Sequence, residues 1–133
     1  RGYALPRLQQ RYGALSASLL IGVVWALWHL PAWWTPGSGQ DAVSLPVFVV
    51  SVVAASILLT SLYNRTGGCL PAVILAHTVF NLGTTGPWAR ALLALPAEQR
   101  GVDPFNALTL VVGLVALGVV LTTDPRTLIA RPR

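Results

Sequence analysis

A chain of 133 residues has the length of one ordinary domain, but 54% hydrophobic and 10% charged residues, with a mean hydropathy of +0.65, leave too little polar surface to cover a water-exposed globule. The net charge of +5 and a pI near 10.7 would suit a nucleic-acid binder, yet all nine basic residues are arginines at the ends of apolar runs, where membrane proteins carry their orienting charges. A soluble domain and a nucleic-acid partner are thereby excluded, and membrane lipid becomes the expected surroundings.

The charges leave four uncharged runs, at positions 12–40, 42–64, 66–89 and 104–123, each of 20 or more residues. Crossing the hydrocarbon layer takes roughly 20 mainly apolar residues, so each is a spanning candidate by length. Residues 1–15 read as an amphipathic lead-in, with Leu8, Tyr12 and Leu15 at helical spacing and Arg7 and Arg11 on another face; it is expected to lie at the interface. Span one runs over 15–30 and is expected to stop at Pro31, with Trp25, Trp28, Trp33 and Trp34 crowding its far end at the headgroup level. Turn chemistry makes 35–40 a loop. Span two covers 43–63, where Ser51 and Ala55, four apart, could let another helix approach closely but read rather as lipid-compatible filler.

Positions 64–68, with two glycines, form a tight turn, and Pro71 suits the first turn of a new helix, where its missing N–H is not needed. Span three begins at Leu70, but its strongly apolar part ends near Leu82, short for a full crossing. A polar connection over 86–104 leads to span four, 105–121. The expected fold is all-α: a single polytopic membrane domain over 1–133, about four spanning helices in a bundle plus an N-terminal interfacial helix.

With four crossings, Arg1, Arg7, Arg11, Arg65, Arg126, Arg131 and Arg133 fall on one side and Arg90 and Arg100 on the other. Seven against two makes the first side, with both termini, cytoplasmic, and a bacterial plasma membrane is the expected location. The acceptor pattern at Asn64, Arg65 and Thr66 then faces the cytoplasm and reads as chance. The single cysteine, Cys69, excludes an internal disulfide and reads as an inert buried thiol. No methionine occurs, even at position 1, and no h-region precedes a cleavage site, so the chain is expected to be a fragment or processed form of a longer product.

Ionisable groups inside apolar spans cost roughly 3 kcal/mol on insertion scales and normally face the bundle interior. Two histidines qualify: His29 at the end of span one and His77 in the middle of span three. Asn81 follows His77 by four residues, a spacing that stacks both side chains on one helix face. Such a pair suits an oxyanion site, since an imidazole N–H and an amide are fixed dipoles in a low-dielectric setting. His29 and His77 would also serve as two ligands of a zinc site, although a catalytic zinc takes three protein ligands and no Asp, Glu or third His lies in the four runs. Hydrogen bonding between helices is the plain structural role open to the same residues.

Arg1 with Gly2 and Tyr3, then Trp25 to His29, then His77 to Asn81, resemble the CPBP intramembrane proteases, a family that takes in CAAX prenyl proteases, lysostaphin-resistance-like proteins and bacteriocin-immunity (Abi) proteins. Its three motifs are a Glu-Glu pair followed by Arg, a Phe four before a His, and a His four before an Asn. Arg1 matches the end of the first, Trp25 stands for the Phe of the second with His29 as its histidine, and His77 with Asn81 match the third. The Glu-Glu pair would precede Arg1 and is not in the chain. The resemblance implies an endopeptidase for peptide or protein substrates, with no cofactor required, in which a glutamate paired with His29 activates water while His77 and Asn81 hold the carbonyl oxygen. Arg1 and Trp25 are then structural, with Arg1 paired to a carboxylate of its own motif, and without the glutamates this stretch is inactive alone. A metal-dependent version would take His29 and His77 as zinc ligands. The alternatives are a non-proteolytic immunity or binding protein of the same family, or a transporter fragment with a protonatable histidine path; the latter is disfavoured because the spans hold no carboxylate or arginine.

Overall fold

A computed structural model describes residues 1–35, 38, 43–85 and 104–130. Loop positions 36, 37 and 39–42, the connection 86–103 with Arg90 and Arg100, and Arg131 and Arg133 lie outside the described residues. Among the described residues five α-helices carry the fold: α1 (Ala4–Tyr12), α2 (Ala14–His29), α3 (Leu45–Arg65), α4 (Leu70–Thr85) and α5 (Pro104–Thr122). The described residues hold no strand, only an isolated antiparallel bridge between Thr123 and Ala130.

The lead-in is α1, which buries Leu5 completely while Tyr3 stays exposed under the guanidinium of Arg7, 3.8 Å from its ring centroid. Gly13 separates it from α2 with φ +80°, a left-handed conformation that costs glycine little. The α-helix ends at His29, ahead of Pro31 as expected, but the chain does not turn away there. It continues as a 3₁₀ turn over Leu30–Trp34 with the proline in the first turn, where no N–H is required. Beyond the loop, Trp33 Nε1–H donates to Val43 O at 3.1 Å and ties the two ends of the connection together.

Among the described residues, three stretches are long and apolar enough to cross a membrane: Ala14–Trp34, Leu45–Arg65 and Phe105–Thr122. Span three, already short of a full crossing in its apolar part, falls below that length. Helix α4 has 16 residues, about 24 Å at 1.5 Å each, against a hydrocarbon layer of about 30 Å. Among the described residues, the bundle therefore has three helices of crossing length and a shorter apolar one.

Helix α3 is the axle. It packs on α2, α4 and α5, and most of its apolar length is buried, whereas α2 and α5 turn most of theirs outward. Ser51 and Ala55, read from sequence as filler, are buried against neighbouring helices along with Ala54 and Ser56. The α2–α3 crossing is tight at Gly22, where a Cβ would stand 2.9 Å from Val53 Cα. Helix α3 ends in a Schellman motif: Gly68 N–H donates to Tyr63 O at 2.8 Å and Gly67 N–H to Asn64 O at 3.3 Å, which is the tight turn expected at 64–68.

The C-terminal segment folds back over the same end of the bundle. Ala14 N–H donates to Arg126 O and Leu15 N–H to Pro125 O, both at 2.9 Å, so two orphan donors at the start of α2 are satisfied by the chain's own tail. Leu128, with φ +52° and no exposed surface, plugs the core there, and Ser61 Oγ and Asn64 Nδ2 donate to the carbonyls of Leu128 and Thr127.

Candidate functional site

One helical face of α4 carries Leu70, Val73, Ile74 and His77, and facing it on α2 are Ile21 and Trp25, one turn apart. With Arg1 these residues enclose a cavity of about 290 Å³. The wall is apolar except for the guanidinium, the imidazole and the indole N–H. A small, mainly apolar cleft with a few convergent polar groups is a setting in which each of those groups acts more strongly than in bulk water.

Trp25 is the hub. Its ring meets that of His77 edge-on, with centroids 4.8 Å apart, and lies 6.3 Å from that of His29. The two imidazole centroids are thus no farther apart than the sum of those distances. His29 sits in an aromatic enclosure, 4.9 Å from Trp28 and 5.3 Å from Phe48, and Phe48 in turn touches Trp33 and stacks on Phe105. Its Nδ1 lies 2.9 Å from Trp25 O. A carbonyl only accepts, so Nδ1 carries the proton, and in the neutral ring the Nε2 lone pair is free to act as a base.

Arg1, Trp25 and His77 therefore share one cavity, whereas His29 does not line it and borders only the indole of Trp25. Asn81 continues the line of His77 one turn further along α4, on an exposed stretch, and does not line this cavity. Within the chain Arg1 meets hydroxyls and a carbonyl of α3. Its Nη1 donates to Ser56 O at 3.2 Å and Thr60 Oγ1 at 2.9 Å, and its Nη2 to Ser56 Oγ at 3.1 Å. Burial pushes the guanidinium down to about 10, which leaves it charged at neutral pH. Ser56 and Thr60 escaped the sequence reading; their four-residue spacing in an apolar run was the available signal. Cys69, expected to be buried, is exposed at the start of α4.

Among the described residues no group of three His, Cys, Asp or Glu side chains comes together. Asp124, in the C-terminal segment beyond α5, is the one carboxylate side chain they include. A catalytic zinc takes three protein ligands, so the described residues do not fit one by themselves. The chemistry of this stretch is that of its imidazoles, guanidinium and amide.

The type II CAAX prenyl endopeptidase Rce1-like family model matches residues 1–83, which span Arg1, both histidines and Asn81. The chain belongs to this family. Among curated proteins, a CAAX prenyl protease 2 of Methanococcus maripaludis is 28% identical over 127 residues, covering 91% of this chain and 43% of the relative. The chain thus spans less than half the length of the curated relative it matches. No solved structure matches it. Family membership and the three apolar crossing-length helices identify an integral membrane protein of an intramembrane endopeptidase family.

Proposed function

We propose that these residues form the histidine half of an endopeptidase that cleaves a peptide bond near the membrane surface. The observation that carries this reading is the contact of one residue, Trp25, with the imidazoles of both His29 and His77, with Arg1 and His77 in one mainly apolar cavity. In the mechanism, a glutamate from outside the 133 residues pairs with His29, whose free Nε2 helps to take the proton as water attacks the carbonyl carbon. His77 and Asn81 donate to the oxygen on which negative charge develops. A general base contributes about a hundredfold to ten-thousandfold and one oxyanion donor about a hundredfold to a thousandfold, so the two halves are of comparable weight.

The substrate is a membrane-associated peptide or protein of the CAAX type, and the protein sits in the cell membrane with its termini cytoplasmic. The 133 residues alone bind such a substrate and do not cleave it. Cleavage of a membrane-tethered reporter peptide in liposomes, by this stretch and by a chain extended upstream through a Glu-Glu pair, tests the reading. Activity is expected only in the longer chain. Equal activity in both would place the base within these residues and overturn the mechanism.

A further inference from the structure

Helix α3 presents two buried hydroxyls, Ser56 and Thr60, one turn apart on the side facing Arg1. Each has its proton committed elsewhere. Ser56 Oγ–H donates across the helix crossing to Ser18 O at 2.7 Å, and Thr60 Oγ1–H donates to Ser56 O at 2.8 Å. A hydroxyl has one proton and two lone pairs, so with the proton spent only acceptor capacity is left to face the guanidinium. Arg1 is thereby met by three acceptors at once, Ser56 O, Ser56 Oγ and Thr60 Oγ1, in an arrangement that suits one orientation of its planar fork. The Ser18–Ser56 link depends on the close approach of α2 and α3 at Gly22, whose absent side chain also leaves room beside Ser56 Cβ.

We propose that Ser56 and Thr60 are positioning residues: they cradle the Arg1 guanidinium in the wall of the His77 cavity, so that its charge is already fixed where the reaction develops negative charge. The cradle acts only through Arg1. A charge held in place before the reaction needs no reorganisation during it, and so the benefit falls on the chemical step rather than on substrate binding.

The proposal rests on the endopeptidase reading, and its test separates the two. In the full-length natural protein in liposomes, Ser56→Ala and Thr60→Val should each lower kcat for the tethered reporter roughly tenfold or more, since hydrogen bonds to charged groups are among the stronger ones, with KM changed less than about twofold. Thr60→Ser, which keeps the hydroxyl, should restore the rate. In an Arg1→Gln background, Thr60→Val should have no further effect, because residues acting through one shared partner are not additive. Full additivity, or wild-type kcat in both single variants, overturns the cradle. A second readout needs no catalysis: dicarbonyl labelling of the Arg1 side chain, read by mass spectrometry, should be slow in the wild type and several-fold faster in the Ser56→Ala, Thr60→Val double variant. Unchanged labelling overturns the cradle, whereas changed labelling in a protein that never cleaves the reporter supports the cradle and defeats the endopeptidase reading.

Discussion

The indole of Trp25 stands edge-on to the imidazole of His77, 61° between planes and 4.8 Å between centroids, and this contact joins α2 to α4 at the cavity. The same indole borders His29 one turn along α2, and its backbone carbonyl accepts from the His29 ring. One aromatic residue thus sets the position of both candidate catalytic imidazoles.

Replacing that ring tests its positioning role. Trp25→Ala should lower the cleavage rate at least about tenfold, because the aromatic pair is worth roughly 0.5–1.5 kcal/mol beyond its area and the emptied space lets His77 tilt. Trp25→Phe keeps an aromatic face toward both histidines and should retain most of the rate. Initial-rate measurements on the two variants decide it; equal losses would mean that the indole itself, and not an aromatic spacer, is required.

The α2–α3 crossing has no room for a side chain. Gly22→Ala should destabilise the protein by about 1–3 kcal/mol, since its Cβ would meet Val53 Cα at 2.9 Å and backbone cannot step aside as a flexible side chain can. Thermal unfolding in detergent measures the loss, and unchanged stability would show that the helices separate freely.

The C-terminal segment is expected to matter for stability well away from the cavity. Leu128 is fully buried beside Ala14 and Ile57, so Leu128→Ala should cost about 2–5 kcal/mol, read in the same unfolding experiment. A surface residue would cost under about 0.5 kcal/mol, which would place the segment off the bundle.

Sequence reading located the helices because apolar runs bounded by arginines, prolines and glycines leave few other conformations, and it singled out His29, His77 and Asn81 because polar groups are conspicuous in such runs. It misjudged what depends on three dimensions. The α-helix does end just before Pro31, but the 3₁₀ turn that carries the chain on, whose first turn needs no N–H at the proline, has no signal in the sequence. Ser51 and Ala55 read as filler, since small residues suit lipid and helix contacts alike, and only their burial in the folded bundle tells the two apart. The tail at 123–130 carries no periodic signal at all, because its role is to lend carbonyls to α2, and the Arg1 partners on α3 lie more than fifty positions away in sequence.

The arginine distribution predicts a topology that labelling can read. Single cysteines at Ser38 and Thr66, in a chain with Cys69 replaced by serine, should react with impermeant reagent from opposite sides of the membrane, Thr66 from the cytoplasmic one. These positions flank α3, whose 21 residues span about 32 Å. Reaction of both from one side would mean that α3 does not cross.

Cleavage of a membrane-tethered reporter peptide by the full-length protein and its His77→Ala and Asn81→Ala variants tests the central claim most directly. If the two side chains hold the developing oxyanion, each variant should lose about a hundredfold or more in kcat with little change in KM, and the double variant little more than the worse single one. Both variants cleaving within about twofold of the wild type would contradict the assignment and leave the histidine–asparagine pair as helix packing alone.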